Sequence, residues 1–393
     1  MSFLRPIAIT SLITFGLLEF SLQALLRTNT LKIHGVLQYP NISRAEFNRY
    51  MSVRDAVLGW PSELAHGRLY NKSGYRPSPE SSKHGVKNAC VAVFGDSQGY
   101  GLDVDDSQAW TNILARELGC RVENYSVPAY GTDQALLRFE KIKPKADVAL
   151  LTFIDDNIRR NLLQYWDLAY GPIYMERTKP RFVLSPFGRL ELIGLPINTF
   201  DQVQDLNYWR FGELFKNETF APSSRAFATA FQPSFPFSFF LGYLSLRNIA
   251  TKYRQSPWVL RTPLSRLVDR RMNPVDVVGT GEALNLQAAI LQRFADRCSG
   301  EYKKCLILRL QPNFVNPSAE RGSSVRAALE GRSGIRRLFI PGEFMAGCVN
   351  RDLLTQGGDP VNLDRRMPGG HYGPETNRAF GRCVGSYLKP LLK

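Results

Sequence analysis

The chain has 393 residues, 44% hydrophobic and 11% aromatic, with 50 Lys and Arg against 35 Asp and Glu for a formal charge of +15. Such a composition excludes a disordered or low-complexity chain, and the length is enough to bury a sizeable core in one enlarged domain or two. The positive field favours anionic partners such as lipid headgroups or acidic polysaccharide. Nothing resembles a zinc finger, an RNP-type motif or a continuous basic helix, so nucleic acid is not an expected partner.

From Pro6 to Leu26 the chain is mostly apolar, flanked by Arg5 and Arg27. About 20 apolar residues span a bilayer as a helix, and this run just reaches that length. Glu19 and Gln23 count against clean insertion. The bulky Leu25-Leu26-Arg27 offers no small-residue cleavage site. The expectation is an uncleaved signal anchor or transmembrane helix over 1–30, with a cleaved signal peptide or an amphipathic interfacial helix as alternatives. Basic residues on both flanks leave the orientation undecided. Residues 31–85 read as an extended connector, turn-rich at Gly59-Trp-Pro61 and Gly74-Tyr-Arg-Pro-Ser-Pro79.

From 86 to 393 the pattern is α/β. Strands are predicted at 89–94, 122–126, 148–154, 305–310 and 337–340, with helical patterns between them. That alternation predicts a parallel sheet of about five strands with helices on both faces, an α/β/α sandwich. A long insertion at about 165–280 separates the third strand from the fourth. It holds Phe231-Gln-Pro-Ser-Phe-Pro-Phe-Ser-Phe-Phe-Leu-Gly-Tyr-Leu-Ser-Leu246, read as core packing or as a lid, groove wall or membrane-facing surface.

Six cysteines form no Cys-x-x-Cys pair, so a structural zinc site is not expected. Cys298 and Cys305 bracket a short polar loop between a predicted helix and strand. Cys90 and Cys120 each precede a predicted parallel strand at the same end of the sheet. Both pairs suit disulfides in an oxidising compartment, while Cys348 and Cys383 read equally as buried thiols. Neither a P-loop nor Gly-x-Gly-x-x-Gly is present, so no organic cofactor is implied.

The chemistry points to Val91-Ala-Val-Phe-Gly-Asp-Ser-Gln98, an apolar strand ending abruptly in Gly95-Asp96-Ser97. A serine there sits at the carboxyl end of a sheet strand and the start of a helix. Open α/β sheets keep their ligand sites at that edge, and free helix N–H groups can hold a developing negative charge. A nucleophilic serine needs a base, usually histidine. Of four histidines, His34, His66 and His84 precede the turn, and His371 follows it in a glycine-rich loop, Met367-Pro-Gly-Gly-His371.

These residues resemble the SGNH (GDSL-type) hydrolase superfamily in four ordered blocks. The first is Phe94-Gly-Asp-Ser-Gln-Gly-Tyr-Gly101 with Asp105-Asp-Ser-Gln-Ala-Trp-Thr-Asn-Ile-Leu114. The second is Val122-Glu-Asn-Tyr-Ser-Val-Pro-Ala-Tyr-Gly-Thr-Asp-Gln134. The third is Ala149-Leu-Leu-Thr-Phe-Ile-Asp-Asp-Asn157, and the fourth contains His371. The nearest resemblance is to membrane-anchored bacterial members associated with extracellular polysaccharide modification. It implies a flavodoxin-like three-layer fold, Ser97 as nucleophile and His371 as general base. It also implies an oxyanion hole from the N–H groups of Ser97 and Gly131 and the side chain of Asn157, with Asp96 orienting the turn.

Two departures leave choices open. The third block usually reads Asn then Asp, so either Asn157 serves through a one-residue shift or Asp156 takes the amide's place. The family usually places an Asp two or three residues before the His, where this chain has Pro368 and Gly369. Asp364 is then the nearest acidic third member, with Asp359 behind it, or a backbone carbonyl completes a Ser–His dyad. Arg365 and Arg366 lie close to His371 and suit an anionic sugar polymer.

The implied activity is a serine esterase acting through an acyl-enzyme on O-acyl groups of extracellular polysaccharide or its precursor. An O-acyltransferase to a sugar hydroxyl is the alternative, as is an inactive polysaccharide-binding accessory protein of a membrane-bound acyltransferase. The implied location is the bacterial inner membrane, single-pass, with the catalytic domain on the periplasmic side.

Overall fold

In the computed structural model, the described residues are 42–59, 70–85, 89–165, 178–207, 281–310, 328–332, 334–356 and 371–392, with residues 10, 13, 14, 16 and 17. The chain divides into two compact units, one of residues 55–162, 180–194 and 275–393, the other of 1–54, 163–179 and 195–274.

The larger unit is built on a sheet of β1 (Ala89–Phe94), β2 (Val122–Asn124), β3 (Ala146–Phe153) and β6 (Lys304–Arg309), all parallel in the order β2-β1-β3-β6. Every residue of β1 is buried, as a strand covered on both faces requires, and this is why its sequence runs apolar without alternation. Val91, Val93, Val148, Leu150, Leu306 and Leu308 point to one face. There they meet Trp110 and Leu114 of α3 (Trp110–Leu118), Met345 and Val349 of α8 (Gly342–Thr355), and Phe380 and Val384 of α9 (Pro374–Leu388). On the other side Phe94 stacks on Tyr125 and meets Phe139 edge-on. Phe139, in α4 (Thr132–Ile142), in turn meets Phe294 of α7 (Gly281–Cys298), with centroids 5.1–5.4 Å apart along this row. Helices thus cover both faces.

Helices α3 and α9 approach closely because two glycines allow it. A Cβ on Gly381 would lie 2.5 Å from Ile113 Cβ and 2.6 Å from the Trp110 carbonyl, and one on Gly385 would lie 2.8 Å from Glu117 Cβ. Three disulfides staple this unit. Cys90–Cys120 and Cys298–Cys305 join the pairs the sequence suggests, and Cys348–Cys383 ties α8 to α9 instead of leaving two buried thiols.

One strand of the expected five is corrected. At 337–340 the chain forms a 3-10 turn, Arg336–Leu338, and then a single parallel bridge from Phe339 to Ile307. Arg336 and Arg337 before the short apolar run, and Pro341 after it, leave too few residues for a ladder. Conversely, the predicted insertion contains an antiparallel hairpin, β4 (Arg181–Leu184) and β5 (Leu190–Ile193), closed at Gly188 with φ 73°.

Residues 70–84, within the stretch expected to be an extended connector, run as a strap along β2. Tyr70 Oη donates to Ser126 O at 3.0 Å and Arg76 N to Asn124 O at 2.9 Å. Ser81 Oγ bonds both the carbonyl and the N–H of Val122. An edge strand presents unpaired polar groups, and the strap satisfies them on β2.

In the smaller unit, α1 (Arg44–Val53) begins with a capping box of Ser43 and Glu46. Phe47 packs on Phe200 of α6 (Phe200–Asn207) at 5.7 Å, and Tyr50 Oη lies 2.6 Å from Thr178 Oγ1. Among the described residues no helix is long and apolar enough to cross a membrane. The expected anchor from Pro6 to Leu26 lies outside them except for the five positions named above, and the aromatic run Phe231–Leu246 lies wholly outside.

Candidate active site

The carboxyl ends of the strands carry the candidate chemistry. After β1 the chain turns at Gly95, where a Cβ would stand 2.0 Å from Thr152 Oγ1 and 3.0 Å from the Thr152 carbonyl of β3. Only glycine fits there. Asp96 is then the N-cap of the short helix α2 (Ser97–Tyr100), accepting from the N–H groups of Gln98 at 2.9 Å and Gly99 at 3.3 Å. A Cβ on Gly99 would lie 2.4 Å from Thr152 Oγ1 and 2.8 Å from Ser126 Oγ. Ser97 is therefore held at the sheet edge by backbone that has no room to shift, and it is 6% exposed.

Asp96 is fully buried, and burial pushes its carboxyl up, against the pull of the Arg160 guanidinium and of the Gly99 and Gln98 N–H groups. Arg160 joins three parts of the site. Its Nη1 lies 3.5 Å from Asp96 Oδ2 and donates to Tyr130 O at 3.1 Å, and its Nε donates to Asp156 Oδ2 at 2.9 Å. Asn157 Nδ2 donates to the same Tyr130 carbonyl at 2.7 Å, while Asn157 Oδ1 accepts from Ile154 N at 2.6 Å. Asn157 is 1% exposed in α5 (Asp155–Arg160). The two neighbouring carboxylates are held by arginines: Asp155 grips Arg309 through two bonds of 2.7 and 2.8 Å, and Asp156 is engaged by Arg159 and Arg160, close enough for its charge to add to the upward push on Asp96. Of the two readings left open by the third block, it is Asn157 whose amide borders the Gly131 loop.

Gly131 is the N-cap of α4, and its N–H donates to Gln134 Oε1 at a long 3.4 Å. A Cβ at Gly131 would lie 2.4 Å from Asp133 Oδ1 and 2.9 Å from Asn161 Oδ1, so the loop closes tightly without one.

His371 precedes α9, and its Nδ1 is 2.7 Å from Asp103 Oδ2; the two side chains are 15% and 27% exposed. Asp103 lies six positions after Ser97. It takes φ 71°, the left-handed region that disfavours a non-glycine residue by about 1–2 kcal/mol. Leu102 N and Gly101 N both donate to Ser97 O at 3.0 Å, so the same loop leads directly from the Ser97 turn to the carboxylate. Asn377 ties the histidine loop to that turn. Its Nδ2 donates to the carbonyls of Tyr372 and Gly373, and its Oδ1 accepts from Trp110 N at 3.1 Å. The Trp110 indole N–H donates to Gly99 O at 3.0 Å.

The sequence reading seeks the histidine's carboxylate just before His371 and so does not reach Asp103. Asp364, Asp359, Arg365 and Arg366 lie outside the described residues. The signal available was an acidic residue two positions after the Gly101 that ends the helix of Ser97. No protein-family model matches the chain, and no curated protein matches it.

Proposed function

We propose that this protein is a serine esterase or acyl-transfer enzyme of the SGNH type, with Ser97, His371 and Asp103 as its triad. The observation that carries the reading is the 2.7 Å contact from Asp103 Oδ2 to His371 Nδ1, on the loop that leaves the Ser97 turn. An Asp103 carboxylate accepts a hydrogen bond from Nδ1–H and so leaves the Nε2 lone pair as base. Ser97 Oγ attacks an ester carbonyl while its proton passes to Nε2. The tetrahedral oxyanion is met by the N–H groups of Ser97 and Gly131 and by the second N–H of Asn157. As the intermediate collapses, the ester C–O bond breaks and the leaving alkoxide takes the proton from Nε2, giving an acyl-serine. Water or a sugar hydroxyl then attacks it, passes a proton to Nε2, and Ser97 leaves with that proton. No step needs a metal or cofactor.

Preorganised oxyanion donors are worth about 2.7–4 kcal/mol each, and the pairing of Asp156 with Arg159 and Arg160 offsets the negative charge it would otherwise bring to the hole. Three disulfides support an oxidising compartment, consistent with an extracytoplasmic catalytic unit tethered by the N-terminal run. The formal charge of +15 suits acylated acidic polysaccharide as substrate.

The test compares wild type with Ser97→Ala for turnover of an aryl acetate and for labelling by a fluorophosphonate. Both are expected in the wild type and neither in the variant. A folded wild type that shows neither sinks the proposal, and an inactive polysaccharide-binding role takes its place.

A further inference from the structure

The loop of residues 101–106 has to hold Asp103 in a disfavoured backbone conformation within reach of His371. The carbonyls of Gly101 and Val104, with that of Tyr100 just before the loop, meet one side chain from the strap. The Arg76 guanidinium donates from Nη1 to Tyr100 O at 2.6 Å and Gly101 O at 2.5 Å, from Nη2 to Val104 O at 2.7 Å, and from Nε to Asp106 Oδ1 at 2.9 Å. It also lies 4.4 Å from the centroid of the Tyr100 ring. Arg76 is 3% exposed, and its own N–H is bonded to Asn124 O at the end of β2.

We propose that Arg76 is the positioning residue of the acid–base pair, holding the loop so that Asp103 meets His371; this rests on the triad reading above. The donors fall on both sides of Asp103, on Gly101 before it and on Val104 and Asp106 after it. A planar fork with five N–H groups can serve four acceptors spread across a loop. A lysine ammonium, a single point of charge, cannot reach both ends. Arg76 is buried, with its guanidinium spent on the loop. It acts through where it leaves Asp103.

The test is a double-mutant cycle of Arg76→Lys and Asp103→Asn, read as kcat and KM on an aryl acetate with thermal melting recorded for each protein. Arg76→Lys is expected to lower kcat by about 10- to 100-fold, the scale of a misplaced catalytic group, with KM little changed. In the Asp103→Asn background the same substitution is expected to cost nothing more. An equal loss in both backgrounds marks a general structural role and overturns the proposal. If Arg76→Lys does not fold, Arg76→Gln, which keeps two donors without the charge, takes its place in the cycle.

The imidazole nitrogen resonances of His371, assigned with His371→Gln, give a readout that does not depend on turnover. Arg76→Lys is expected to shift them toward the Asp103→Asn pattern, and an unchanged spectrum overturns the proposal. A shifted spectrum together with a wild type that turns over no ester leaves Arg76 in its role and removes the esterase reading instead.

Discussion

The two halves of the candidate site are held by different means. The Ser97 turn is fixed by close packing of glycine backbone: Gly95 and Gly99 press on Thr152 so closely that a methyl group would collide. The His371 side is fixed by side chains, Asp103 on the ring, Asn377 on the loop and Arg76 behind Asp103. Damage should therefore divide cleanly. Changes at the serine turn should cost stability, and changes on the histidine side should cost rate while the fold survives.

The largest expected effect tests the second half of that contrast. Asp103→Asn should lower kcat by about 10,000-fold, or about 5.5 kcal/mol of transition-state stabilisation, as the loss of a triad carboxylate does elsewhere. Its melting temperature should barely move. Steady-state kinetics beside calorimetry will show it, and a loss under tenfold would remove Asp103 from the triad. Asn157→Ala should cost about 100- to 1,000-fold in kcat, as for a single oxyanion donor. If kcat holds and only stability falls, Asn157 merely braces Tyr130.

Gly95→Ala tests the first half. The added methyl must displace Thr152, and overpacking of this kind costs about 1–3 kcal/mol. A urea titration should show a lower midpoint with an unchanged slope. A midpoint equal to wild type, with activity lost, would mean that the turn yields and the contrast fails.

The smallest effect is a pH-dependent control at a residue outside the proposed reaction. Burial by itself would raise the Asp55 carboxyl, but Lys141 and the N–H groups of Leu58 and Val57 outweigh it and hold the group below its usual range. A depressed folded value means stability that is present above the unfolded value of about 3.9 and is lost as pH falls through the folded one. The stability gap between wild type and Asp55→Asn should therefore be full near neutrality and close on acidification. A gap that is flat with pH would show that the Lys141 contact contributes nothing.

Much of the sheet was legible because doubly buried strands have an unmistakable composition. Residues 89–94 were bounded correctly, and the third and fourth predicted strands differ from β3 and β6 by a residue or two at their ends. The hairpin β4–β5 was missed because its strands are short and β5 is half exposed, with Glu191 and Leu192 outward, so no apolar run marks it. The strap reads from sequence only as an extended connector because its packing is polar. Ser78, Ser81 and Arg76 are buried by hydrogen bonds, and hydrophobic periodicity is blind to those.

The sequence by itself determined the parallel sheet, the sharp turn that presents Ser97 and the identity of the one histidine that follows it, and it set two pairs of cysteines beside one another without fixing their connectivity. These rest on local chemistry: apolar strands, a glycine where no Cβ fits, and cysteines brought together by neighbouring elements. Only the tertiary structure decided which carboxylate faces His371, that Asn157 rather than Asp156 borders the Gly131 loop, and that Arg76 grips the loop of Asp103. Each of these is a contact between side chains or carbonyls separated by tens to hundreds of residues, 268 in the case of Asp103 and His371. Such contacts exist only once the sheet and its helices have brought the loops at the strand ends together, and no spacing along the chain encodes them.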